Sequence, residues 1–307
     1  MTFEIPGAST LDPPGRDDPG QFPRRSRSSR VWRRLLRNPL VVASLGLLGF
    51  VVVLAIISPL LPIDPYKTNF LARLQPPSAE AWLGTDQLGR DMLARLIAGS
   101  RIALLVGFLS VAIGVVFGGG LGLIAGMMAG TWVDAVITRA MDIIIAFPWL
   151  LLVIAVIAIL GPSIPNVMIA IGLTLVPEFA RLVRSLVLSL REQDFVTAAR
   201  SLGASQIRIA FRHVLPHCVA NIVVLGTVKL GRSILAEAGL SYLGLGVQPP
   251  HPSWGSMIAA GQEYLLAAPH LSLIPGCVVM LVVMALNIAG DGLRDALDPK
   301  EVQKTGL

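Results

Sequence analysis

The stretch RIALLVGFLSVAIGVVFGGGLGLIAGMMA, residues 101–129, carries a single charged side chain, at its first position. A helix needs about 20 apolar residues to cross a bilayer, so this run predicts a membrane span. Gly114, Gly118, Gly122, Gly126 and Gly130 recur every fourth residue along it and just past its end. That spacing keeps them in one narrow helical stripe, where the missing side chains let a neighbouring backbone approach closely. The stripe points to helix packing and to no particular chemistry.

Outward from this stretch the chain is of the same kind. Of its 307 residues 54% are hydrophobic and 14% charged, against roughly 25% charged in ordinary globular proteins, and the mean hydropathy is +0.71. Further apolar runs at 39–61, 140–160, 164–186, 217–240 and 271–290 complete an all-α polytopic membrane protein with six transmembrane helices. The first run is too long for the core of a cleaved signal peptide and ends in Ser58-Pro59-Leu60-Leu61-Pro62, not in a small-x-small site. The chain thus divides into a flexible basic tail over 1–37, a first anchor with its following loop over 38–100, a core membrane domain over 101–300 that carries a loop at 189–216, and a C-terminal tail over 301–307.

Six crossings put both termini on one side, and the basic residues say which. With the N-terminus inside, the inner segments hold eight arginines of the tail, Arg191, Arg200, Arg208 and Arg212 of the 189–216 loop, and Arg294, Lys300 and Lys304. The outer loops hold Lys67, Arg73, Arg90 and Arg95. Fifteen against four predicts N-in, C-in. The net charge of +6 is therefore read as membrane topology, with anionic lipid as its partner and no nucleic acid.

Several chemistries lack their residues. Cys218 and Cys277 sit in apolar runs and form no CxxC pair, which argues against a disulfide framework or a cysteine zinc site. His213, His217, His251 and His270 lack metal-site spacing, and Ser241 and Ser253 lack a nucleophile elbow. Asp86, Asp91, Asp291 and Asp295 each have a nearby arginine or a helix end to cap, so they are read as structural. No Gly-x-x-x-x-Gly-Lys-Ser/Thr occurs, so no P-loop cradles a nucleotide here. No catalytic or metal residue is assigned.

One apolar run is interrupted by charge. Asn221, Lys229 and Arg232 fall within about 80° of one another on a helical wheel. A charge in hydrocarbon costs at least ~2.5 kcal/mol, so these side chains face a cavity or a partner. One reading is a pore lining that meets an anionic group. The other is an internal ion pair of Lys229 with Glu178 or Glu237, or a snorkelling lysine.

The 189–216 loop reads as two short helices around a glycine. Asp194 is expected to cap the first and Gly203 to end it; Ser205 is expected to cap the second, whose apolar positions Ile207, Ala210, Phe211, Val214 and Leu215 run to a stop at Pro216. The element is either an amphipathic loop resting on the bilayer or a docking knob for a partner.

Thr197-Ala198-Ala199, three residues, Gly203, nine residues and His213-Val214-Leu215-Pro216 resembles the EAA loop of permease subunits of bacterial ABC importers. Thr197 stands where an acidic residue is usual, and His213 replaces an isoleucine. Trp82–Asp91 with Arg95–Arg101, Glu237–Pro250 with Ser253-Trp254-Gly255, and Asn287–Pro299 resemble the C-type permease subunit of dipeptide and oligopeptide importers, over about residues 30–300. The resemblance implies the type I importer permease fold and a non-catalytic half-channel. It implies a homologous B-type permease, two ATP-binding subunits and an external substrate-binding protein as partners, with ATP and magnesium held by the ATPases and no cofactor in this chain. Carried onto this sequence, the ATPase-coupling positions are Thr197, Ala198, Ala199, Gly203, Ala204, Ser205, Leu215 and Pro216. Related permeases carry nickel or other metal chelates, glutathione or opines, which stand as alternative solutes; a self-contained channel or membrane enzyme is the alternative of another class.

Overall fold

The computed structural model describes residues 35–36 and 38–297. The basic tail up to Arg34 with Arg37, and residues 298–307 with the C-terminal tail, lie outside the described residues. Helix α1 (Pro39–Ile57) is capped by Asn38, whose side chain accepts from Leu40 N at 3.0 Å. Helix α2 (Met92–Ile113) passes through a π-helical turn (Gly114–Gly118) into α3 (Gly119–Met127). Then follow α4 (Trp132–Ala146), α5 (Trp149–Leu160), α6 (Ile164–Leu190) and α7 (Asp194–Ser201). The turn Gln206–Arg208 and a π-helical segment (Ile209–Val214) lead into α8 (Leu215–Tyr242), and α9 (Trp254–Gln262) and α10 (His270–Leu297) close the chain.

Among the described residues, five helical rods are long and apolar enough to span a membrane, and six if the pair α4 and α5 counts as one. The expected span 140–160 is not one helix: α4 and α5 meet at 93°. Pro148 lacks an N–H, and its ring disfavours helical geometry at the residue before it. Phe147 is accordingly extended, with φ −83° and ψ 135°.

The second span also differs from its expected bounds, starting at Met92 and not at 101. Asp91 caps it by accepting from Ala94 N at 2.9 Å. Arg95, counted above with the outer loop, is a buried residue of α2. Its Nη1 donates to Pro65 O at 3.2 Å, and its Nε lies 3.5 Å from Asp86 Oδ2. Asp86 also takes Leu88 N at 2.8 Å, Arg90 N at 2.9 Å and Arg90 Nε at 2.6 Å, so one carboxylate organises the whole turn before α2. Gly89 in that turn has φ +71°, and a Cβ there would sit 1.8 Å from Asn69 O.

The glycine stripe lies against α6. A Cβ at Gly118 would fall 2.3 Å from Val176 O, one at Gly122 2.3 Å from Ala180 O, and ones at Gly114 and Gly126 2.7 and 2.6 Å from the Cβ atoms of Leu175 and Val187. Backbone meets backbone there, and dispersion replaces the hydrophobic driving force that lipid cannot supply. Gly130 is outside the contact, in open space at φ +82°, and serves the turn into α4. A second core joins Val51 of α1, Ala103 of α2, Ile234 of α8, Trp254 of α9 and Val282 of α10, with Trp254 Nε1 donating to Leu96 O at 3.0 Å.

Candidate functional site

The 189–216 loop folds as a small helical element seated on the ends of α3 and α6. Val196, Ala199, Ile209, Ala210, Val214 and Cys218 are buried against Leu123, Val183 and Val187. Helix α7 begins at Asp194 with Gln193 as its cap residue, so the expected capping by Asp194 is corrected: it supplies an acidic charge in the first turn, where the helix dipole favours it. At the other end Gly203 N donates to Arg200 O at 3.0 Å and Ala204 N to Ala199 O at 3.1 Å, with Gly203 at φ +79°. These paired bonds are the Schellman ending, which requires a left-handed residue at that position. Ser205 accepts from Arg208 N at 3.4 Å and starts the next turn.

Pro216 does not stop the second helix. Through the π-helical segment 209–214 the helix runs on into α8, forming one rod from Gln206 to Tyr242. A proline is tolerated in the first turn of a helix, where its missing N–H has no intrahelical acceptor to satisfy, and the wide π turn just before it makes such a break in the α-helical hydrogen-bond pattern. The inserted turn also rotates the apolar face. Ile209 is buried, whereas Ile207 is 74% and Phe211 62% exposed, and Leu202 beside Gly203 is 88% exposed. Thr197, Ala198, Gly203, Ser205 and Pro216 are exposed as well, Ala204 and Leu215 half-buried, and Ala199 buried. The apolar trio Leu202, Ile207 and Phe211 was only partly read from sequence; a leucine beside the turn glycine of a polar loop is the signal that finds it.

Three basic side chains of the bundle are paired with acids on other helices. Lys229 of α8, buried, forms an ion pair with Glu178 of α6. Arg184 of α6 binds Asp134 of α4, and Arg181 Nη2 reaches Asp142 Oδ1 at 2.7 Å. Asn221 and Arg232 are exposed, so the structure does not bring the three polar residues of α8 to one partner. Glu237 is buried, pairs with no lysine among the described residues, and accepts from Ser241 Oγ at 2.7 Å. The acid partners of Lys229, Arg181 and Arg184 lie 39 to 51 residues away in sequence, beyond the reach of helical spacing.

A bundle of helices long and apolar enough to span a membrane, tied by cross-helix ion pairs and carrying an exposed apolar helical element, is the architecture of an integral membrane protein. The chain belongs to the family described as binding-protein-dependent transport system inner membrane component, which matches residues 118–303, and residues 26–77 match the N-terminal transmembrane domain of oligopeptide transport permease C. It is 46% identical over 289 residues to the dipeptide transport system permease protein DppC of Alkalihalophilus pseudofirmus, covering 94% of each chain. It is 45% identical to the glutathione transport system permease protein GsiD of Pectobacterium atrosepticum, covering 88% of this chain and 90% of that one. Among solved structures, a chain of the inward-facing MetNI methionine ABC transporter superposes with a TM-score of 0.54 at 18% identity, covering 67% of this chain and 98% of that chain. The fold is that of a type I ABC importer permease, and the protein is a permease component of an ABC importer in the bacterial inner membrane.

Proposed function

We propose that this chain is the C-type half of a permease that imports short peptides, pairs with a homologous B-type permease, and is driven by two ATP-binding subunits that receive the 189–216 element. The observation that carries this reading is the similarity to a dipeptide permease over nearly the whole length, joined to an exposed apolar tip on a rod continuous with a span. An external substrate-binding protein delivers the solute, and both termini lie on the ATPase side, as the basic residues indicate. ATP and magnesium reside on the ATPases; no side chain of this chain is assigned a chemical step. Closure of the ATPase pair moves the coupling elements together, and rotation of the spans opens the passage alternately to each side. In this reading the eight arginines of the N-terminal tail add about 1 kcal/mol each of attraction to anionic lipid.

Glutathione is the second reading, favoured by the GsiD relative at nearly the same identity. The experiment is purification of the tagged chain in mild detergent from its host, with mass spectrometry of what remains bound. A second permease, ATPases and a binding protein are expected, and the ligand of that binding protein names the solute. Recovery of the intact, folded chain alone would overturn the reading.

A further inference from the structure

The outward faces of the long helices differ in chemistry. Helix α1 exposes Leu40, Phe50, Val53 and Ile56, α2 exposes Leu105, Phe108 and Leu109, and α10 exposes Leu273, Met280 and Met284. Such faces suit lipid. Helix α8 exposes Val219, Val223 and Leu235 in the same way, but its exposed residues also include a row of Asn221, Arg232 and Gly239, which fall within about 20° of one another on a helical wheel. Arg232 is ten residues from Tyr242, about 15 Å along the axis and farther than its side chain extends, so it cannot snorkel to either end of α8. Its guanidinium enters no ion pair among the described residues. Lys229, one turn away, is already neutralised by Glu178. Arg101 and Arg139 are also without an ion pair there, but they lie nearer a helix end, nine residues from Met92 and seven from Trp132, about 14 and 10 Å.

Arg232 thus carries an uncompensated positive charge about 15 Å from the nearer end of α8. An unpaired charge so far from a helix end is costly unless it faces water, protein or an anion. We propose that Arg232 binds the carboxylate of the transported solute during passage, while Lys229, held by Glu178, joins α6 to α8 and does not touch the solute. The planar guanidinium suits the task because it grips a carboxylate through two parallel hydrogen bonds. The solute class is therefore one with a free carboxylate, and its amide is disfavoured at the passage step. This rests on the peptide-importer reading above.

The test uses the complete complex in liposomes, supplied with dialanine or dialanine amide, each at a concentration that saturates the binding protein. Uptake per ATP hydrolysed should favour the acid by about tenfold in the wild type and by no more than about twofold in Arg232→Gln, through slower uptake of the acid. Arg232→Lys should fall between. Lys229→Met should lower the yield of folded complex and leave the acid-to-amide ratio as it is. An unchanged ratio in Arg232→Gln would overturn the proposal, as would loss of the B-type permease on purification of that variant, which would put Arg232 in the subunit interface. A wild-type complex that moves neither compound would sink the peptide-importer reading itself, and the assignment of Arg232 with it.

Discussion

Arg184 holds Asp134 by two parallel hydrogen bonds, Nε to Oδ1 at 2.6 Å and Nη2 to Oδ2 at 2.8 Å, and so fixes the start of α4 to the C-terminal third of α6. The same carboxylate accepts from Gly130 N at 3.2 Å and Thr138 Oγ1 at 3.3 Å. Removing only the cation leaves a nearly buried acid without its counter-charge. Arg184→Met should cost about 3 kcal/mol, the lower end for a buried pair because the arginine is one-third exposed. Arg184→Lys should recover only part of it, having no planar fork, and the double variant Asp134→Asn with Arg184→Met should be more stable than Arg184→Met alone. Thermal unfolding of the purified complex in detergent measures all three.

Two glycines two residues apart should respond with opposite sign. Gly122→Ala drives a methyl group into Ala180 O and must separate α3 from α6, at about 1–3 kcal/mol or more. Gly120 has nothing within 4 Å of a Cβ position, and Gly120→Ala should stabilise by roughly 0.5–1 kcal/mol through helix propensity alone. Melting temperatures of the two variants, read side by side, check the contrast.

At Gly203 the constraint is the backbone and not space, because φ is +79° and no atom lies within 4 Å of a Cβ. A β-branched residue in that conformation is strained, whereas asparagine tolerates it. Gly203→Val should keep insertion and pairing with the partner permease and uncouple ATP hydrolysis from uptake; Gly203→Asn should retain most of the coupling. The ratio of solute moved to ATP hydrolysed in liposomes distinguishes them, and wild-type coupling in the valine variant would remove the loop from the drive train.

The exposed trio makes a separate prediction. Leu202→Ser, Ile207→Ser and Phe211→Ser alter side chains that this chain itself leaves open, so each should change the unfolding temperature of the isolated subunit by an amount equivalent to no more than about 0.5 kcal/mol. Retention of the ATPase subunits on size-exclusion chromatography should fall in each case, most for the doubly substituted Ile207→Ser, Phe211→Ser variant. A polar replacement at buried Ile209 should do the reverse, lowering stability first.

Much of this architecture is legible in the sequence because hydrocarbon permits few alternatives: apolar runs become helices, and a glycine every fourth residue becomes a contact surface. Local chemistry misleads where two rules compete. Pro148, inside the expected span 140–160, divides it, while Pro216, expected as a stop, sits inside a continuous rod. The difference lies in the preceding turn, extended at Phe147 and π-helical at 209–214. Arg95 reads as a loop charge until Asp86 is seen beside it. The turn at Gly203 follows from local spacing, but which residues of the 189–216 element face outward depends on the π-helical segment 209–214. Glu178 as the partner of Lys229 was one of two acids open to it, and only the packing of α6 on α8 chooses.

The rod from Gln206 to Tyr242 has a mechanical consequence. Thirty-seven residues of nearly continuous helix make a shaft about 55 Å long, with Leu202, Ile207 and Phe211 near one end and Tyr242, bonded to Gln262 of α9, at the other. A tilt of about 10° around its midpoint carries each end through about 5 Å in opposite directions. Force applied at the tip is thereby delivered at the far face without any loop in between to absorb it, and the pivot falls close to Lys229 and its bond to α6.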